Sequence, residues 1–173
     1  LLRPPQDQPA LPTSTTLEPV AQRLSDCLGR GRSALLVGPS GVGKTLLAQY
    51  LARHHQRLGL SARKFRFGTG TQLLTRCAGL GLDWRQGLLG LAEAAPANSV
   101  VLCLGSLAEL LSIGPAFGTQ ASLASVLLPF LVRGQVLAVV EATPEQWAQV
   151  ERDHPGQTLA YERIELTPPD AEG

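Results

Sequence analysis

One short stretch of the chain combines glycines, a lysine and a hydroxyl at a spacing that suits phosphate binding. Residues 38–45 read GPSGVGKT, which matches the pattern G-x-x-x-x-G-K-[ST]. In this pattern the glycines let backbone N–H groups converge on phosphate oxygens, the lysine reaches the β- and γ-phosphates, and the hydroxyl ligates Mg²⁺. The predicted contact residues are Gly38, Pro39, Ser40, Gly41, Val42, Gly43, Lys44 and Thr45. The sequence therefore predicts a site for the phosphates of ATP or ADP, with Thr45 as the ligand of Mg²⁺.

The segments on either side of this phosphate loop (residues 38–45) are of the type that its chemistry requires. The apolar run at 33–37 predicts a buried strand, and the spacing of apolar residues predicts a helix over 44–57. Such a helix points its positive N-terminal end at the bound phosphates. A glycine-rich turn that matches the pattern by chance would lack both neighbours, so we interpret the motif as a nucleotide site.

The rest of the chain alternates short apolar runs with segments of helical periodicity. Strands are predicted over 33–37, 62–67, 100–104, 135–140 and 161–166, and helices from 17 to about 29 and over 44–57, 83–95, 121–133 and 144–152. Residues 68–81 contain four glycines and are predicted to be rich in loops. Strands that alternate with helices predict an α/β fold of the P-loop NTPase type, in which a parallel five-stranded sheet carries helices on both faces.

Composition narrows the class of protein and of partner. The 173 residues are 44% hydrophobic and 17% charged, which is typical of a globular domain. The net charge of +1 gives no clear signal for nucleic-acid binding. The sequence contains no run of eighteen apolar residues, so no membrane-spanning helix is predicted. Three scattered cysteines favour the cytoplasm or another reducing intracellular compartment. We expect residues 1–16 to be an N-terminal linker and residues 17–168 to form one nucleotide-binding domain.

The order of these motifs resembles the AAA+ ATPases, and in particular the first nucleotide-binding module of the Clp-type unfoldases. The segment GRSALLVGPSGVGKTLLAQYLA looks like the start of such a module, and LVRGQV and EATPEQW are similar to the family's A-R-G-E-L and A-T-T-P-E-E-Y pieces. The resemblance covers residues 33–168 and implies the large α/β subdomain of an AAA+ module. It also implies binding of ATP or ADP with Mg²⁺, and assembly with other AAA+ subunits, in a homo- or hetero-ring, or with other protein partners. The family continues into a small helical lid, so residues 169–173 are expected to be a tail leading to an absent lid.

The sequence departs from the family at the positions of two acids, known as Walker B, that follow the third strand. These acids align with Gly105 and Ser106. In the family the aspartate holds Mg²⁺ through its water shell, and the glutamate orients the attacking water. Glycine and serine supply no carboxylate. The resemblance therefore implies retained nucleotide binding that depends only weakly on Mg²⁺, with weak or absent hydrolysis.

Three further positions of the family pattern bear on hydrolysis and assembly. The polar residue called sensor one, at the end of the fourth strand, falls on Ala142 or Thr143. The segment at 156–161, where the resemblance places an arginine finger, reads GQTLAY, and Arg152 and Arg163 flank it out of register. Leu80 stands where the pore loop of the family carries an aromatic residue.

Two carboxylates are candidates to replace the missing acids. Glu109 lies one helical turn beyond Ser106, and Glu141 lies at the end of the fourth strand. The simpler interpretation is that both are ordinary solvated carboxylates. Three hypotheses stay open: a nucleotide-binding module with a structural or regulatory role in a larger assembly, an active ATPase that uses Glu141 or Glu109, and a scaffold that has lost nucleotide binding.

Overall fold

A parallel sheet forms the centre of the structure, a computed structural model that describes residues 17–81, 83, 86–87, 89–90, 93, 99–114 and 121–168. Within these residues the strands are β1 (Ser33–Val37), β2 (Lys64–Phe67), β3 (Val100–Ser106), β4 (Leu137–Ala142) and β5 (Tyr161–Glu165). They lie in the order β2-β3-β4-β1-β5, and every neighbouring pair is parallel. The carboxyl ends of β1, β3 and β4 therefore meet at one edge of the sheet, which is where ligands bind in folds of this kind.

Six helices and one 3₁₀ turn have both ends among the described residues, and all but the first lie between strands. They are α1 (Leu17–Gly29), α2 (Lys44–His54), α3 (Gly70–Gly79), α4 (Leu107–Ser112), α5 (Leu123–Val132), α6 (Pro144–Asp153) and the 3₁₀ turn Pro155–Leu159. Ser106, Ser122 and Thr143 precede α4, α5 and α6, and each side chain accepts a backbone N–H of the following first turn. These caps fix where the helices begin, close to the carboxyl edge of the sheet.

The two faces of the sheet belong to two separate apolar cores, because side chains alternate along each strand. Leu35, Leu102 and Val140 point into the core that is completed by α3, α4, α5 and α6. Leu36 and Val139 point into the opposite core, which is completed by α1 and α2. The helices therefore cover both faces, and the predicted parallel five-stranded α/β fold is confirmed.

Most predicted elements are present with shifted ends, but one prediction is wrong. Residues 68–81 are not a loop, because α3 occupies Gly70–Gly79. Thr69 and Gln72 form a reciprocal cap: Thr69 Oγ1 accepts the Gln72 N–H at 3.1 Å, and Gln72 Oε1 accepts the Thr69 N–H at 3.1 Å. Leu73 then anchors the helix in the core. The glycines only bracket the helix, and the T-x-x-Q pattern is the signal that would have predicted it.

Other predictions lie partly or wholly outside the described residues. Of the predicted helix at 83–95, Asp83 is described and is not helical, whereas the described residues Gln86, Gly87, Leu89, Gly90 and Glu93 are helical. The expected linker at 1–16 and tail at 169–173 are not described. In the described part of the chain, no helix is long and apolar enough to cross a membrane.

Candidate nucleotide site

The phosphate loop joins the carboxyl end of β1 to the start of α2, as its chemistry requires. Gly41 and Gly43 have φ angles of 81° and 107°, in the left-handed region that favours glycine. Gly38 is needed for a different reason, because a Cβ there would lie 2.7 Å from the backbone oxygen of Leu166. The Gly38 N–H donates to the Ala142 carbonyl at 3.1 Å, which ties the start of the loop to the end of β4.

The first turn of α2 differs from the other described helices at this edge of the sheet. Its N-cap is Gly43, and no side chain caps it, whereas α4, α5 and α6 each have a serine or threonine cap. The first N–H groups of α2 are therefore left for a ligand, and the helix dipole favours an anion at the same place.

Lys44 holds its ammonium group over the phosphate loop. Its Nζ donates to the carbonyl oxygens of Gly38 and Pro39, at 2.7 and 2.8 Å. These bonds keep a positive charge beside the uncapped start of α2. The loop thus presents both a cation and free backbone donors, which is the combination that recognises phosphate.

Thr45 and Glu141 meet across the edge of the sheet, although they are 96 residues apart in sequence. The Thr45 hydroxyl lies 2.9 Å from Oε1 and 3.0 Å from Oε2 of Glu141, and it donates to this carboxylate. Burial raises the pKa of Glu141, and the Thr45 hydrogen bond and the charge of Lys44 act in the opposite direction. A hydroxyl and a carboxylate are hard oxygen donors, so these two residues fit the Mg²⁺ that accompanies a nucleotide.

Gly105 and Ser106, the positions predicted to have lost their acids, both have roles in the local backbone. A β-bulge interrupts the pairing of β3 with β4 between Cys103 and Gly105, and Gly105 has a φ of 72°. Ser106 begins α4, and its Oγ accepts the Glu109 N–H at 3.3 Å. Neither residue supplies a carboxylate to the site.

The two candidate sensor residues have different environments. Ala142 is buried and presents only a methyl group. Thr143 Oγ1 accepts the Gln146 N–H at 3.2 Å, and Gln146 Oε1 accepts the Thr143 N–H at 2.9 Å, so this pair caps α6. Sequence reasoning did not identify Gln146 as a site residue, although the T-P-E-Q capping pattern points to its position.

A cavity of about 490 Å³ brings most of these groups together. Its walls include much of the phosphate loop on one side and Ser106, Glu141, Thr143 and Gln146 on the other. A cavity of this size falls within the range of small-molecule sites, about 300–1,000 Å³. The structure thus places Lys44, Thr45 and the candidate acid Glu141 around one space.

Glu109, the other candidate acid, faces elsewhere. Its Oε1 accepts from the Thr71 hydroxyl at 3.0 Å, which links α4 to α3, and it is not among the described residues that line the cavity. Leu80 is largely exposed just after α3, and Arg163 pairs with Glu165 on β5. Of the two carboxylates, the structure brings only Glu141 to the phosphate loop.

Comparison with known proteins finds likenesses in structure rather than in sequence. No protein-family model and no curated protein matches the chain. Solved structures of Hsp104 do match it. A closed-state structure of Hsp104 with ATPγS and FITC-casein has a TM-score of 0.71 at 20% identity and covers 91% of this chain. The extended Saccharomyces cerevisiae Hsp104–casein complex has a TM-score of 0.69 at 19% identity. The S. cerevisiae Hsp104–ADP complex has a TM-score of 0.67 at 17% identity, and each of these two matches covers 94% of this chain.

In each case the match spans only 28% of the Hsp104 chain. At this level of identity the likeness concerns the fold alone. The described residues share the fold of the matched part of Hsp104, which agrees with the predicted parallel five-stranded α/β fold.

Proposed function

We propose that this chain is a nucleotide-binding AAA+ module of the Clp-like type, and that ATP or ADP occupies the cavity beside the phosphate loop. The observation that carries the proposal is the uncapped start of α2, with Lys44 above it, at the edge of a cavity of about 490 Å³. The other groups at that edge agree in chemistry, since Thr45 and Glu141 offer oxygen ligands for Mg²⁺.

The same geometry favours binding over hydrolysis. Rapid hydrolysis needs a positioned water and an arginine that stabilises the transferring phosphoryl group, and the arginine alone is worth about 10³–10⁵ in rate. Gly105 and Ser106 offer no carboxylate to orient water, and residues 156–161 contain no arginine. We therefore propose weak or absent hydrolysis, and a structural or regulatory role in an assembly with other AAA+ subunits, in a homo- or hetero-ring, or with other protein partners.

Two of the expectations from sequence remain parts of this proposal. We propose that residues 17–168 form the nucleotide-binding domain and that the protein works in the cytoplasm or another reducing intracellular compartment. Buried thiols agree with the second point, because Cys27 and Cys103 are both free and buried.

Calorimetric titration with ATP and ADP tests the binding. The wild-type chain should bind at least one of them, and Lys44→Ala should weaken binding by about 10–100-fold because a charge-assisted contact to phosphate is lost. Lys64→Ala is the matched control, since this exposed lysine begins β2, three strands away from β1. Absence of binding by the wild type up to millimolar nucleotide would instead favour the scaffold that has lost nucleotide.

A second function, an active ATPase, is favoured by one observation: Glu141 contacts Thr45 directly. Steady-state hydrolysis by the assembled protein distinguishes the two functions. Turnover above about 1 s⁻¹, within the range of ordinary enzymes, that is lost in both Lys44→Ala and Glu141→Gln would establish the ATPase. Turnover far below this value, with nucleotide binding intact, supports the module that binds without rapid hydrolysis.

A further inference from the structure

The carboxylate that contacts the Thr45 hydroxyl, the expected ligand of Mg²⁺, comes from β4 and not from β3. We propose that Glu141 positions the Mg²⁺ of the bound nucleotide, a task that has moved by one strand from the Gly105–Ser106 end of β3. This inference rests on the proposed function, because it concerns the metal that accompanies the nucleotide. It goes further by naming a residue for the metal and by separating metal binding from water activation.

The register of the sheet shows why such a move is possible. Ser106 is the direct partner of Glu141 in the β3–β4 pairing, so the two residues stand at the same height at the carboxyl edge. Neighbouring strands lie about 4.8 Å apart, which the longer side chain of a glutamate can bridge in part. β4 also adjoins β1, which leads directly into the phosphate loop. A carboxylate on β4 therefore reaches Thr45 without passing over another strand.

The hydrogen bond itself prepares Thr45 for a cation. A threonine hydroxyl has one proton to donate and two lone pairs to offer. Because the proton points to Glu141, the lone pairs are directed away from the carboxylate, and Thr45 borders the cavity in which the nucleotide would lie. Partners outside the first coordination sphere act in this way in other metal sites, by orienting the ligand and raising its basicity.

Among the described residues, Glu141 forms no ion pair, and its hydrogen bond is to the neutral Thr45. The ammonium of Lys44 is a nearby positive charge, but it donates hydrogen bonds to the carbonyls of Gly38 and Pro39. A half-buried carboxylate in this position is costly alone and becomes favourable beside a divalent cation.

This arrangement supplies a carboxylate for the metal but none to orient an attacking water. Ser106 of β3 also lines the cavity, and its Oγ accepts the Glu109 N–H and so caps α4. With Glu141 held against Thr45, no second carboxylate among the described lining residues is left to orient an attacking water. Nucleotide binding should therefore depend strongly on Mg²⁺ although hydrolysis is slow, in contrast to the weak Mg²⁺ dependence expected from the loss of the β3 acids alone.

Calorimetric titration with ADP, in the presence and absence of Mg²⁺, tests this inference on the full chain. In the wild type Mg²⁺ should tighten ADP binding, and Glu141→Gln should remove about 10–100-fold of the Mg²⁺-dependent affinity while leaving Mg²⁺-free binding in place. Glu109→Gln makes the same chemical change on a carboxylate that faces Thr71, and it should behave as the wild type. Glu141→Asp keeps the charge and should retain part of the Mg²⁺ effect, which guards against a simple folding defect.

The outcomes separate this inference from the proposed function. Failure of the wild type to bind ADP under either condition would overturn this inference, and failure to bind ATP as well would overturn the proposed function. ADP binding that is indifferent to Mg²⁺, or a full Mg²⁺ effect in Glu141→Gln, would overturn the inference alone. Loss of the Mg²⁺ effect in Glu109→Gln but not in Glu141→Gln would assign the metal to the other acid and would equally refute it.

Discussion

Replacing Gly105 by alanine tests whether the backbone, rather than the loss of an acid, explains the glycine at the end of β3. Gly105 follows the β-bulge and has a φ of 72°. A Cβ at this position would meet no other atom within 4 Å, so neighbouring side chains add no steric cost. The remaining cost is the left-handed conformation, which destabilises an L-residue by roughly 1–2 kcal/mol. We expect Gly105→Ala to lower the free energy of unfolding by this amount.

Gly29→Ala is the matched control for this substitution. Gly29 ends α1, and a Cβ there also meets nothing within 4 Å, but its φ lies outside the left-handed region. The alanine should be neutral or should stabilise the protein by about 0.4–1 kcal/mol, because it restricts the unfolded chain. The two variants therefore differ in backbone conformation and not in the space available.

Urea unfolding followed by circular dichroism measures both variants. For Gly105→Ala the midpoint should fall with an unchanged slope, and the Tm should fall by roughly 2–8 °C for a domain of this size. If Gly105→Ala proved as stable as Gly29→Ala, the left-handed conformation would not be the reason for the glycine, and the explanation from the bulge would fail.

Three further predictions concern charge, packing and thiol chemistry. Glu141→Gln should raise the free energy of unfolding without nucleotide by about 0.5–2 kcal/mol in urea titrations, because it removes a partly buried charge from a functional site; a loss of stability would contradict this account. Gly114→Ala should destabilise the protein by about 2–5 kcal/mol. Gly114 has a φ of 115°, and a Cβ added there would lie 2.2 Å from the Ala121 carbonyl oxygen. A loss of stability no greater than that of Gly105→Ala would contradict this prediction. Burial raises the pKa of Cys27 to about 12 and also raises the pKa of Cys103. Iodoacetamide should therefore label both thiols roughly 10³-fold more slowly in the native than in the denatured protein at pH 8. Peptide mass spectrometry follows the labelling, and similar rates in the two states would refute the burial of these thiols.

The fold was largely predictable because its signals are local. Each of the five described strands overlaps a predicted one, and β1 has the predicted bounds of Ser33–Val37. The ends of the other strands moved because pairing, rather than apolar content, decides where a strand stops. β3 continues through Gly105 and Ser106, two residues with little strand propensity, since both are paired with β4. Helix α3 was not predicted, because the glycines at its ends indicated a loop and the cap formed by Thr69 and Gln72 was overlooked.

Only one part of the candidate site could be predicted from the sequence, because the phosphate loop is contiguous in the chain whereas the partner of Thr45 is not. The phosphate loop is a contiguous motif, so its residues could be named from the sequence. The partner of Thr45 is not contiguous with the loop, and sequence alone leaves both Glu109 and Glu141 as candidates, with Glu141 favoured by its place at the edge of the sheet. Sequence reasoning treated both as ordinary solvated carboxylates, whereas Glu141 is half-buried and bonded to Thr45.

Metal positioning and water orientation place different demands on a carboxylate, and this difference bears on the absence of acids at Gly105 and Ser106. A metal-positioning carboxylate needs only to reach the loop hydroxyl, and any strand that ends beside β1 at the same edge can supply it; here β4 does so. A water-orienting carboxylate must face the far side of the γ-phosphate, which is a stricter demand on position. An aspartate at position 105 would start from a left-handed backbone, and an acid at 106 would remove the cap of α4. Introducing aspartate at position 105 and glutamate at position 106 should therefore cost stability before it gains turnover, whereas exchanging the single carboxylate of Glu141 should alter metal binding directly.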